Sequence, residues 1–256
     1  MIFLTSAVLF FLGAIVASFI GVVVARLHTG QSMCTGRSHC DACDTALPPF
    51  ALIPIISHVV LGGRAHCCGA RVSSYAPITE CILGIFFMLT YLKLGFVVGL
   101  PGMLISITLL LALVLYDLSH QVLPSALLFP FIATSTITGF LLAPSFAEFS
   151  STFFTAFLIA ASLAIIHFIS RGRAMGFADA PLSFGLALLV GPAAFPGFIF
   201  SFWIGALLGI VILARRPRGS RMGVEVPFAP YLAAGFLLAY FTQWNPFIFT
   251  TILFQY

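Results

Sequence analysis

Forty-one residues separate Arg173 from Arg215, and almost all of them are apolar. As continuous helix that stretch would run about 60 Å, close to twice the ~30 Å hydrocarbon core of a bilayer. The Gly191-Pro192 and Pro196-Gly197 pairs near its middle are turn signals. The stretch therefore reads as a hairpin of two membrane spans, with Arg at both ends on one side. The same arithmetic applies between Arg71 and Asp117, with a turn from Lys93 to Pro101. It applies again between Asp117 and Arg171, with a turn around Pro144 to Glu148. Three hairpins, a first span over roughly residues 2–25 and a last one from near Pro227 make about eight transmembrane helices.

Composition agrees. Hydrophobic side chains make up 61% of the chain and charged ones 7%, against about a quarter charged in a soluble domain. That excludes a soluble globular protein, and 29 Phe with so little charge exclude disorder. The formal net charge of +4 does not point to nucleic acid. Its basic residues are better read as topology determinants and contacts to anionic lipid. Every Arg falls on one side of the eight-span scheme and only Lys93 on the other, which by the positive-inside rule puts the Arg side in the cytoplasm and the N-terminus outside. The first segment lacks the basic start and small-residue cleavage site of a signal peptide and reads as a retained span.

The expected fold class is thus an all-α polytopic membrane protein with one small polar insert. The first span covers residues 1–26, the insert 27–75 and the remaining membrane core 76–256. The insert holds five of the six cysteines. Cys40-x-x-Cys43 is followed, after 23 residues, by Cys67-Cys68-Gly69. Thiolates at this spacing can close a tetrahedral zinc site, and a short insert with little apolar core gains order from one. The second pair is displaced, because Ala65 stands where a second C-x-x-C would begin. The ligands read as Cys40, Cys43 and Cys68, with Cys67, His66 or Cys34 as the fourth. A disulfide reading fits a reducing compartment poorly. Cys81 lies in the second span and reads as an ordinary core residue.

Few acids border a span: Glu80, Asp117, Asp179 and Glu225. An ionisable group near hydrocarbon is expensive and is a functional candidate by default. Asp117 ends the third span and Asp179 begins the sixth, so the topology brings both to the cytoplasmic ends of their helices, at one depth. Two carboxylates in a desolvated pocket hold one proton between them. One can then take a proton from water while the other donates to a carbonyl oxygen, as in aspartic proteases. Gly176, three residues before Asp179, leaves room for a backbone to approach closely. The plainer alternative is that each Asp faces headgroups or pairs with an Arg such as Arg173. His167 reads as a satisfied core histidine and His120 as a solvated loop residue. No G-x-S-x-G elbow, H-E-x-x-H, Walker or dinucleotide fingerprint occurs.

These motifs together resemble one family, the type IV prepilin peptidases, bifunctional leader peptidases and N-methyltransferases of pilus and type II secretion systems. The start, Gly13-x-x-x-x-Ser18-Phe19-x-x-Val22-Val23-x-x-Arg26-Leu27, is similar to the family's opening span. Arg37-Ser38-His39-Cys40-x-x-Cys43, Leu52-Ile53-Pro54 with Ile56-Ser57, Gly63-Arg64 and Cys68-Gly69-Ala70 follow the order of its zinc insert. Asp117 with Leu123-Pro124, then Met175-Gly176-x-x-Asp179, resemble its two catalytic motifs, and Pro227-Phe228-x-Pro230 its last proline motif. The resemblance runs over nearly the whole chain.

It implies a bacterial inner-membrane aspartic endopeptidase that cuts the short basic leader from prepilins or pseudopilins, between a Gly and a Phe, on the cytoplasmic side. The new N-terminal amine would then be methylated from S-adenosylmethionine. By this carry-over Asp117 and Asp179 are the catalytic pair and Cys40, Cys43 and Cys68 zinc ligands; beside them Cys67 reads as the fourth ligand and Gly176 as lying against substrate. The chain departs from the family pattern at Ala178, where a second Gly is usual, and at Pro181, where Lys is common. The inner side is basic although the leader is basic too, so Asp41, Asp44, Glu80 and Glu225 are the acids left to receive it. Two other readings carry less. A catalytically impaired scaffold that binds pilin-like proteins has no use for two costly carboxylates at matched depth. A transporter would place its ionisable residues at mid-membrane.

Overall fold

The structure is a computed structural model and describes residues 2–27, 38–40, 42–173, 175–215 and 227–244. Among these residues the fold is helical, with no strand beyond two isolated bridges. The chain divides into two compact units, Met1–Phe96 and Val97–Tyr256.

In the first unit a long apolar helix, α1 (Ile2–Arg26), packs along α3 (Tyr75–Leu94). Glycine sets how closely they approach. A Cβ on Gly13 would lie 2.8 Å from the Leu83 carbonyl oxygen, and one on Gly84 2.8 Å from that of Phe10. Close backbone contact through small residues is how helices associate in lipid, where apolar burial offers little. Between them lies the insert, with a short 3-10 turn (Pro49–Leu52) and one helical turn, α2 (Ile56–Val60).

The second unit contains α4 (Leu100–His120), α5 (Ser125–Leu142), α6 (Phe146–Ser170), α7 (Asp179–Val190), α8 (Ala194–Arg215) and α9 (Ala229–Thr242). The expected turns fall where composition placed them. Gly95, with φ +67°, ends α3, and Pro101 sits in the first turn of α4. Ser145 caps α6 by accepting the Glu148 N–H at 3.2 Å, and Ser-x-x-Glu is a capping-box sequence. Gly191, with φ +63°, breaks α7 from α8. Pro196 falls inside the first turn of α8, where its missing N–H would have no helical partner anyway.

Six segments are long and apolar enough to cross a membrane when α7 and α8 are taken together. Counted apart, and with α9, the apolar helices number eight among the described residues, as the sequence arithmetic expects. Their outward side chains are those lipid accepts. Phe154, Phe157, Ile165 and Ile169 on α6 are all exposed, a patch that water would not tolerate on a monomer. The buried polar residues gather instead in the packed centre and at the ends of α3, α4 and α7.

Candidate functional site

Asp117 and Asp179 lie in the same unit, the first in the last turn of α4 and the second opening α7. Both side chains are buried, at 6% and 7% exposure. Both helices pack against α9, and the start of α9 supplies the first ligand to the pair. The Ala229 N–H donates to Asp117 Oδ2 at 3.2 Å. The first N–H groups of a helix have no internal partner, and Phe228, at the cap position, supplies no side-chain acceptor. Asp117 acts as that cap from 112 residues away, in a direction the helix dipole favours for an anion. Pro230 then removes the next N–H. The proline motif thus presents one backbone donor to the carboxylate, a role not readable from its residue types.

The loop before Asp179 is held from α6. The ring of His167 donates from Nδ1–H to the Met175 carbonyl at 2.9 Å, the only role open to it opposite a carbonyl acceptor. It also meets Phe177 edge-on, with ring centres 5.5 Å apart. Arg171 and Gly172, both at positive φ, turn the chain back at the end of α6, and the Gly172 N–H returns to the His167 carbonyl at 2.9 Å. A Cβ on Gly176 would lie 3.5 Å from Asp179 Oδ2, so this glycine leaves the carboxylate open on one side. Asp117, and the His167 ring that holds this loop, belong to the same unit as Asp179. A buried pair of carboxylates with a histidine beside them can bind, hold and hand on a proton.

In the first unit the structure gathers the cysteines. The Sγ atoms of Cys40, Cys43, Cys67 and Cys68 all lie within 4.8 Å of one another. Two loops of one geometry carry them. In the first, the Cys40 N–H bonds to Thr45 O, the Asp44 N–H returns to Cys40 O, and His39 bridges Ala46. In the second, the Ala65 N–H bonds to Ala70 O, the Gly69 N–H returns to Ala65 O, and Arg64 bridges Arg71. Ala65 therefore occupies the place of Cys40, and Cys68 that of Cys43. Asp44 and Gly69, the residues that follow, both take positive φ. Cys67, inside the second loop, supplies the sulfur that Ala65 lacks. His66 instead meets Phe50 ring to ring, and Cys34 lies outside the described residues.

The donor set fits a thiophilic metal. Tetrahedral zinc–thiolate bonds of about 2.3 Å put the sulfurs about 3.8 Å apart. Cys40 and Cys68 stand at 3.8 Å and Cys43 and Cys67 at 3.2 Å. Thr45, through its side chain and then its backbone, with Cys67 adding to it, pulls Cys43 down to about 6. The same pairing, led by Cys43, pushes Cys67 up to about 12. The five described cysteines are all free thiols.

The remaining predicted residues are placed as follows. Asp44 is exposed on the first cysteine loop. Glu80, at the start of α3, is buried at 5% exposure, and its carboxylate accepts the Ile55 N–H at 2.7 Å. Ile55 has φ +61° and ψ −53°, with Pro54 O and the Ile56 N–H 2.5 Å apart across it. Such a turn at a β-branched residue stores on the order of 1–3 kcal/mol of strain. His120 is exposed and stacks on Tyr116. Asp41 and Glu225 lie outside the described residues.

Residues 11–94 match the family described as the Bacterial Peptidase A24 N-terminal domain. Among curated proteins, the chain is 30% identical over 254 residues to a prepilin leader peptidase/N-methyltransferase of Dickeya chrysanthemi, covering 88% of each chain. It is 29% identical to one from Bacillus subtilis (strain 168), covering 91% of this chain and 93% of that one. It is 27% identical to one from Pseudomonas aeruginosa, covering 87% and 85%. No solved structure matches it.

Proposed function

The chain belongs to the prepilin leader peptidase/N-methyltransferase family, and from that membership we propose that Asp117 and Asp179 together hydrolyse the leader peptide bond of a prepilin or pseudopilin. The observation that carries the reading is two buried carboxylates in one unit, each presented at the end of a helix that packs on α9. The pair acts as a unit with one proton. Its unprotonated member takes a proton from water as the water oxygen bonds to the scissile carbonyl carbon. Its protonated member gives its proton to the carbonyl oxygen. On collapse the first carboxyl gives its proton to the leaving nitrogen, the second takes one back from a hydroxyl of the gem-diol, and the C–N bond breaks, so the pair is restored and no covalent enzyme intermediate forms. The Ala229 N–H fixes Asp117 in orientation, and His167 fixes the loop that carries Asp179. Gly176 leaves space for the extended substrate chain.

The same reading puts the enzyme in the bacterial inner membrane, with its N-terminus outside and the cysteine insert and acid pair on the cytoplasmic side. Cys40, Cys43, Cys67 and Cys68 hold zinc, which closes the two loops on each other as a structural centre. Asp41 and Asp44 receive the basic leader. Methylation of the new N-terminal amine draws on S-adenosylmethionine. The test is co-expression with a prepilin, comparing the wild type with Asp117→Asn and Asp179→Asn. Leader removal by the wild type and not by either variant is expected. Equal removal by both variants would overturn the acid pair.

A further inference from the structure

The insert of the first unit carries an apolar and cationic face outside its cysteine cluster. The single turn of α2 places Ile56, Val59 and Val60 at i, i+3 and i+4, on one side. All three are exposed, Val59 at 72% and Val60 at 76%. Gly62 and Gly63, at φ +59° and +69°, then reverse the chain. The ribbon that follows is closed by the Arg64–Arg71 bridge and by the Val72 N–H, which donates to Gly63 O at 2.9 Å. The result is an open notch of about 560 Å³ whose lining includes His58, Val59, Val72, Arg64 and Arg71. Directly opposed residues of an antiparallel bridge send their side chains to one face, where like charges destabilise each other. Among the described residues no acid lines the notch, and the sequence from Pro49 to Tyr75 contains neither Asp nor Glu.

We propose that this face docks on the surface of a bilayer carrying anionic phospholipid, with Ile56, Val59 and Val60 at the boundary of headgroups and acyl chains and Arg64 and Arg71 on lipid phosphates. Position along the chain selects lipid first. Arg71 stands four residues before Tyr75, where the apolar span α3 begins. Four residues reach about 14 Å even when fully extended, so the notch is tethered close to the headgroups that flank this span. Tyr75 is itself 49% exposed, and a tyrosine at the start of a span sits at the membrane interface. Charge selects lipid again. An apolar turn beside a cationic rim is what a negatively charged leaflet attracts, whereas a basic leader peptide would be repelled. Apolar burial and charge add in such binding, and a single helical turn needs both. The Arg64–Arg71 bridge is also the base of the second cysteine loop. A phosphate between the two guanidinium groups relieves their repulsion and steadies the loop that carries Cys67 and Cys68.

The test compares two membranes. Full-length enzyme, one chain per nanodisc, is placed in phosphatidylcholine alone or with about 30% phosphatidylglycerol, and amide hydrogen exchange is followed over Ile56–Val60. Each arginine near an anionic surface favours docking about fivefold, so the anionic discs should slow exchange there about thirtyfold. Arg64→Gln/Arg71→Gln should bring the two discs within about threefold of each other. Val59→Asp/Val60→Asp, which places acids on the docking face, should do the same. Unchanged exchange along α3 reports that each variant folds. Where a variant does not fold, the wild type at about 0.5 M salt gives the same reading, because screening should cut the slowing to about threefold or less. Equal exchange in the two membranes, or slowing that persists in salt or in the folded variants, would overturn the docking. Slowing of the same size by inorganic phosphate added to phosphatidylcholine discs would overturn it in favour of a pocket for a soluble anion. Protection that appears only when a prepilin is added would overturn it in favour of a peptide surface.

Discussion

Replacing Asp117 by Asn separates chemistry from architecture at this site. The carboxylate has two jobs that the structure keeps apart. It accepts the Ala229 N–H at 3.2 Å, and on the proposed mechanism it shares one proton with Asp179. An amide of the same shape can keep the first, because its oxygen still accepts. It cannot do the second. Asp117→Asn should therefore melt close to the wild type while leader cleavage falls by about 10²–10⁴, the range for losing a positioned acid–base group. Asp117→Ala should lose the same activity and, in addition, about 1–3 kcal/mol of stability. It strands a donor on Ala229, which is 0% exposed. The pair logic adds a sharper requirement. Two independent groups, each worth about a thousandfold, would together be worth about a millionfold. Groups that work as one unit are non-additive, so Asp117→Asn/Asp179→Asn should be no slower than either single variant within about threefold. The assay is leader removal from a purified prepilin over long time courses, alongside thermal melting. A double variant far below both singles, or an Asp117→Asn enzyme within about tenfold of wild type, would refute the shared-proton reasoning.

Other outcomes follow from the same contacts. His167→Ala should lower kcat about ten- to a hundredfold with KM little changed, since a small shift of the Asp179 loop misaligns the pair. His167→Gln, which keeps a donor toward the Met175 carbonyl, should recover much of the loss in the same kinetic assay. Cys67→Ser should bring the metal content from one ion per chain towards none by elemental analysis. Adding Ala65→Cys to it should restore binding, because Ala65 stands where Cys40 stands in the other loop. Reversing Asp41 and Asp44 together to Lys should raise KM about five- to tenfold for a basic-leader substrate, with kcat nearly constant, as expected for charges that guide encounter. Unchanged KM would remove these two acids from leader binding.

What could be read from the residues beforehand depended on whether the controlling interaction was local. The spans were legible because bilayer thickness fixes helix length and Gly-Pro pairs mark the turns, so Gly191 broke α7 from α8 where composition put the break. The placement of Asp117 and Asp179 at helix ends followed from the same arithmetic. The cysteine insert was half legible. Its spacing named a donor set but left the fourth ligand open among Cys67, His66 and Cys34. The missing information was the fold of the second loop, in which Ala65 and Cys68 match Cys40 and Cys43 bond for bond, while Cys67 reaches in from the turn. A pattern of letters cannot show that a sulfur two positions late arrives at the right point in space. Long-range contacts were not legible at all. Ala229 is 112 positions from the carboxylate it binds, and nothing in Pro227-Phe228-x-Pro230 says that a backbone N–H is the working part.

His167 shows the same limit from the other side. A histidine in an apolar helix is usually a satisfied core residue, and this one is satisfied. Its partner, however, is a carbonyl of the very loop that positions Asp179. A packing role and a functional role coincide wherever the group being packed is the segment that carries the chemistry. The activity of His167→Gln beside that of His167→Ala measures how far that overlap extends. If both variants fall equally while melting like the wild type, the ring itself and not its hydrogen bond sets the loop, and the aromatic contact with Phe177 becomes the part to test.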